Sequence, residues 1–123
     1  MTKDLIKYFT YILALQKCSH SSDYTIHGLW VDYTRGGYPE FCRNIPFDEK
    51  TIEPLRSQLD TFWPSCYNGP NKGLWKHEWL KHGTCFNPNI TLYDYFNSTL
   101  ELYHKYKHKC DNQHKRDCLI STF

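Results

Sequence analysis

Apolar positions along this chain follow two spacings. Near the N-terminus they form short continuous runs. Tyr8 to Leu15 (YFTYILAL) is almost unbroken apolar and aromatic sequence, closed by the polar pair Gln16-Lys17. Because Lys3 and Lys7 precede it, the run also has the form of a signal-peptide core. Its shortness, aromatic content and polar ending favour a buried strand, so no signal peptide is expected in this chain. A polar loop, Cys18 to Asp23, leads to Tyr24–Val31 (YTIHGLWV), which returns to strand composition. Within it His27 is followed by Gly28, and a glycine in a strand lets another backbone or a ligand approach closely.

Further along, the spacing becomes helical. Ile52, Leu55, Leu59, Phe62 and Trp63 predict an amphipathic scaffold helix near 50–62 that ends at Trp63-Pro64. Leu92, Tyr95, Phe96, Leu100 and Tyr103 predict another over 91–106. Between them, Leu74 to His82 reads as a short helix stopped by Gly83. Asp32 to Asn44 and Ser65 to Gly73 read as loops, Lys105 to Arg116 as a basic segment, and Cys118 to Phe123 as an apolar tail. There is no internal repeat, low-complexity tract or linker, so residues 1–123 are expected to form one α+β domain. Its architecture is an antiparallel sheet packed against several helices.

Composition narrows the function classes. A chain of 123 residues suits one core. Net charge is +2 with histidine neutral, which excludes a polybasic nucleic-acid coat. Seven histidines raise that charge below about pH 6.5. The 17% aromatic content suits a packed core or a surface on which bases stack. No run of eighteen apolar residues exists to span a membrane. Six cysteines and two N-glycosylation sequons, Asn89-Ile-Thr91 and Asn97-Ser-Thr99, point to a secreted or lumenal protein in an oxidising compartment. The competing reading is a reduced cytosolic protein with incidental sequons.

The chemistry concentrates in Leu74–Phe86, LWKHEWLKHGTCF. On a helix Glu78 and His82 share a face, and Lys81 lies three residues from Glu78 and four from His77. Trp75 and Trp79 are also four apart and are suited to anchoring the opposite side in a core. Three readings compete: a solvated helix face, a zinc site, and metal-free acid/base catalysis. The zinc reading is weakened by spacing, because His77 and His82 are five apart and point about 140° from each other at roughly 100° per residue. The helix alone does not choose between the zinc and the acid/base readings.

With His27-Gly-Leu-Trp30 and His77-Glu-Trp-Leu-Lys-His-Gly-Thr-Cys85 both in view, the chain resembles the ribonuclease T2 family from about Tyr8 to Tyr106. Leu15-Gln16, Cys42, Phe47-Asp48, Trp63-Pro64 and Cys66 add to the likeness. The resemblance implies an endoribonuclease that cleaves single-stranded RNA without a metal or other cofactor. It leaves a 2',3'-cyclic phosphate and a free 5'-hydroxyl. By position, His82 is implied as base, His27 as acid, Glu78 and Lys81 as transition-state stabilisers, and His77 as phosphate holder. Gln16, Trp30 and Leu74 are implied to flank bound bases. The implied disulfides are Cys42–Cys85, Cys18–Cys66 and Cys110–Cys118, and the implied state is a monomer. Lys17-Cys18 and Val31 depart from the family's usual residues. The further strands and helices that members carry after the helix ending near Tyr106 are replaced by Cys110–Phe123, so the sheet is expected to be shortened or incomplete on that side. An RNA-binding or interaction module on the same scaffold is the alternative, and the intact set His27, His77, Glu78, Lys81 and His82 argues against it.

Overall fold

The computed structural model describes residues 9–19, 21–86 and 88–122, so Lys3, Lys7, Tyr8 and Phe123 lie outside it. Strands β1 (Phe9–Lys17), β2 (Tyr24–Tyr33) and β3 (Asp117–Ser121) form an antiparallel sheet in the order β2-β1-β3. Alternation sends Leu13, Leu15, Leu29, Val31 and Ile120 to one face, where all are buried. Ile12, Ala14, Trp30 and Leu119 take the opposite face.

The strict alternation breaks once. Ala14 pairs with Gly28, but Leu15 pairs with Ile26, leaving His27 without a partner in the ladder. This β-bulge keeps Ile26 and Leu29 in the core although they are three residues apart. It turns both His27 and Gly28 away from that core, in the manner of bulges that re-aim a side chain.

Helices α1 (Arg56–Phe62), α2 (Asn71–Lys81) and α3 (Leu92–Tyr106) complete the α+β architecture. Residues Glu49–Leu55 before α1 form a 3₁₀ segment rather than α-helix. Pro54 lies inside it, and proline lacks the N–H needed for the α ladder. Helix α2 begins at Asn71, three residues ahead of Leu74, directly after Pro70. There the Asn71 side chain accepts from Ser65 N at 2.8 Å and donates to Asp60 Oδ1 at 3.0 Å, so contacts with neighbouring segments set that boundary. Gly83 is not a left-handed helix stop. It opens a 3₁₀ turn, Gly83–Cys85, and a Cβ there would lie 2.4 Å from the Trp79 ring, so glycine is required by packing. Thr91 caps α3 by accepting from Asp94 N.

The helices are wired to β2 through buried aromatic donors. Trp63 Nε1 donates to His27 O at 3.0 Å, Tyr95 Oη to Leu29 O at 3.0 Å, and Tyr103 Oη to Tyr24 O at 2.7 Å. One strand of the described sheet flanks β2, and these donors satisfy carbonyls that have no second strand beside them. Trp75 and Trp79 are fully buried, and their indole N–H groups reach Trp63 O and Ile45 O.

Disulfides join Cys18 to Cys66, Cys42 to Cys85 and Cys110 to Cys118. The second ties the loop after β2 to the turn after α2 across 43 residues of sequence. In the chain-entropy model a loop of that size is worth about 4 kcal/mol. Replacing both Cys42 and Cys85 by serine is therefore expected to lower the unfolding free energy by about that amount in urea titrations. A loss below about 1 kcal/mol would show that the link constrains the unfolded chain little.

Candidate active site

The bulge on β2 and the last turn of α2 meet at a cavity of about 390 Å³ lined by His27, Trp30, Asp32, Tyr38, His77, Glu78, Lys81, His82 and Leu119. A larger hollow of about 640 Å³ elsewhere, lined in part by Lys17, Asp23, Lys107 and the exposed His108–Asp111 pair, holds one histidine among the described residues.

Glu78 is at the centre. Only 2% of it is exposed, and its Oε1 accepts from Trp30 Nε1 at 2.7 Å. Its Oε2 lies 3.9 Å from both His27 Nε2 and His77 Nε2. The approach depends on Gly28, where a Cβ would sit 2.0 Å from Glu78 Oε1 and 2.5 Å from Trp30 Nε1. Burial pushes the Glu78 carboxyl up to about 7, against the opposing pull of the Trp30 hydrogen bond and the Lys81 charge.

His82 caps the C-terminus of α2 with φ −113°, already off the helical path. It lines the same cavity as His77, although ideal helical spacing points the two apart. Its ring stacks on Trp30 at 5.1 Å, with 27° between the planes. Its Nδ1 is buried without a hydrogen-bond partner among the described residues, so no hydrogen bond at that atom favours the charged ring. Burial, then Lys81, His77 and His27, push its pKa down to about 3. His27 is also lowered, chiefly by burial, while Asp117 pulls the other way and His77, Arg116 and Lys81 add to the lowering. The cluster thus pairs a neutral buried imidazole with a more exposed one beside a carboxyl.

Lys81 brings a cation to the rim. Its Nζ lies 3.8 Å from Glu40 Oε2 and 5.6 Å from the centre of the Tyr38 ring. That rim loop is held to the end of α2 by Phe41 N to Lys81 O at 2.9 Å, Arg43 Nε to Thr84 O at 2.9 Å, and the Cys42–Cys85 bond.

Of the residues singled out in the sequence, His27, His77, Glu78, Lys81, His82 and Trp30 line one cavity. Gln16 and Leu74 do not. Gln16 is buried in β1 between Thr25 and Asp117, and Leu74 packs against the core one turn before Glu78. Asp32, Tyr38 and Leu119 line the cavity and were missed. Asp32 follows Trp30 by two on the same strand face, a usable signal. Tyr38 sits in an irregular loop and Leu119 on a strand whose pairing has no local signature. Among the described residues no group of three or more His, Cys, Asp or Glu side chains is arranged to hold a metal ion.

Comparison with known proteins gives consistent matches. A sequence model of the Ribonuclease T2 family matches residues 7–113. Ribonuclease 1 of Arabidopsis thaliana is 41% identical over 88 residues, covering 69% of this chain and 38% of the relative. Extracellular ribonuclease LE of Solanum lycopersicum is 40% identical over 86 residues, covering 67% of this chain and 37% of the relative. This chain therefore spans little more than a third of the length of these relatives. Among solved structures, the N71S mutant of RNase MC1 in complex with 5'-GMP superposes with a TM-score of 0.72 at 32% identity. That match covers 80% of this chain and 59% of the other.

The dependence on Gly28 is testable. Gly28→Ala is expected to cost about 1–3 kcal/mol by overpacking and to break the Trp30–Glu78 hydrogen bond. The readouts are the urea midpoint and the Trp30 indole N–H resonance. If neither moves, the close approach is not a constraint.

Proposed function

Since this chain belongs to the ribonuclease T2 family, we propose that it is an endoribonuclease that cleaves single-stranded RNA by metal-independent acid/base transphosphorylation. The observation that carries the reading is the convergence of His27, from a strand bulge, with His77, Glu78, Lys81 and His82, from one helix end, on a single cavity. A nucleotide complex of an RNase MC1 mutant supports it by likeness.

In the proposed reaction the 2'-oxygen forms a bond to phosphorus and gives its proton to neutral His82. The bond from phosphorus to the 5'-oxygen breaks, and His27 supplies that oxygen's proton. Products are a 2',3'-cyclic phosphate and a 5'-hydroxyl. Lys81 and the carboxyl of Glu78 stabilise the charge that develops on the phosphoryl oxygens. With its pKa near 7, Glu78 carries its proton through the acidic range and can donate a hydrogen bond there. His77, 55% exposed at the mouth, is suited to holding the phosphate. Trp30 and Tyr38 offer ring faces for a base. Gln16 and Leu74 retain a base-flanking role only if substrate extends beyond the cavity. Every residue used here comes from one chain, so a monomer suffices. Three disulfides, with likeness to an extracellular ribonuclease, support work in a secreted or lumenal setting.

Incubation with single-stranded RNA, with and without EDTA, tests the reading. Cleavage unaffected by EDTA is expected, and His27→Ala or His82→Ala should each lower it by at least about 10². Loss of cleavage on chelation points to a metal, and binding without cleavage points to a recognition module.

The pH profile follows from the two imidazoles. The reaction needs His82 neutral and His27 protonated. His82 becomes neutral as pH rises through about 3, and His27 loses its proton through a value below the ordinary 6.5. Cleavage is therefore expected to rise through the first and fall through the second, with an acidic optimum. Rates still climbing above pH 8 would reverse this assignment of acid and base.

A further inference from the structure

The cavity has a wall that the acid/base cluster does not use. It is supplied by Leu119 of β3, at the far edge of the sheet from β2. Leu119 pairs with Ala14, which pairs with Gly28, so the three form one row across the sheet face that carries the site. Two strand spacings put Leu119 about 10 Å from Gly28. A lone exposed leucine is ordinary on a protein surface. Leu119, however, is 61% exposed while lining the active-site cavity, with Ala14 as the only side chain in that row between it and Gly28.

Arg116 immediately precedes the same strand. Its carbonyl accepts from Lys17 N at 2.8 Å, fixing it beside the end of β1. Its Nη2 donates to Tyr67 Oη at 2.5 Å, and its guanidinium lies 5.3 Å from the Tyr67 ring centre. Tyr67 follows Cys66, which is bonded to Cys18 just after β1. The guanidinium is thus oriented by Tyr67 alone, through its hydroxyl and its ring, and remains at the surface. Arg116 and Asp117 are both close enough to influence His27. Asp117, exposed between Arg116 and Leu119, adds one negative charge to this edge. The preceding segment adds His114 and Lys115.

We infer that β3 is a second wall of the RNA-binding cleft, on which Leu119 seats a nucleobase and Arg116 holds the phosphate of a nucleotide neighbouring the scissile one. This rests on the ribonuclease reading. Two features select single-stranded RNA as the occupant: continuity with the catalytic cavity, and an apolar contact beside an oriented cation. Unpaired bases expose apolar faces next to phosphates, and strand-tracking surfaces combine both kinds of contact.

The test is binding of a fluorescent, fully 2'-O-methylated RNA hexanucleotide, which cannot be cleaved, followed by anisotropy over a salt series. Removing one phosphate contact from a single strand flattens the plot of log K against log salt by about 0.7. Arg116→Ala should show that change and Arg116→Lys should not. Leu119→Ser should weaken binding about fivefold with the slope unchanged. Asp117→Lys should steepen the slope by about the same 0.7 and serves as the deciding variant if either of the others fails to fold. An unchanged slope in Arg116→Ala, or affinity within twofold of wild type in Leu119→Ser, overturns the inference, as does failure of the wild type to bind the probe. Wild-type binding of the probe without cleavage of the matching unmodified hexanucleotide overturns the ribonuclease reading and leaves this wall standing.

Discussion

The geometry depends on how β2 is held. It has one neighbouring strand in the described sheet, and its other edge is closed by Trp63, Tyr95 and Tyr103 donating to the carbonyls of His27, Leu29 and Tyr24. Each donor comes from a helix or its end, so the same bonds that satisfy the edge set the distance from helices to sheet. The His27 carbonyl is one of the clamped groups, while its side chain turns towards the cavity because of the bulge. Backbone anchoring and side-chain presentation thus meet at one residue. Were β2 to shift by one position, the alternation would move its core set to the other face, and His27 would leave the cluster.

The second constraint is electrostatic. Putting a carboxyl and an imidazole out of water opposes their ionisation, which raises Glu78 to about 7 and lowers His82 to about 3. Both shifts cost stability at neutral or acidic pH, when the unfolded chain would ionise freely. For Glu78, folding is penalised as pH climbs from its ordinary 4.5 towards 7. For His82, it is penalised as pH falls from 6.5 towards 3. The aromatic core and three disulfides offset these penalties. Gly28 makes the arrangement sterically possible by leaving room for Glu78 against the strand.

Much was legible along the chain. Short apolar runs located the two N-terminal strands, and helical spacing located the 91–106 helix and the second half of the one expected near 50–62, because burial of one face imposes its spacing on a helix. The cluster His77, Glu78, Lys81 and His82 was legible because its members lie within one helical turn or two. The likeness to ribonuclease T2 proteins brought in His27 and the cysteine partners, which a count of six cysteines leaves open among 15 pairings.

Other features were decided only when distant segments met. His27 alone reads as a strand residue, and its bulge exists because Ile26 and Leu29 must both reach a core built by other elements. Gly83 reads as a helix stop, yet its reason is the Trp79 ring. The true start of α2 depends on Asn71 meeting Ser65 and Asp60. Tyr38 and Leu119 carry no local mark, since one sits in a loop tied by a disulfide to the turn after α2 and the other depends on pairing with β1. The sequence by itself determined which chemical groups are present and which local faces they share. Distances, burial and therefore protonation were decided by tertiary structure, because they depend on what surrounds a group, and most of that lies far away in the chain.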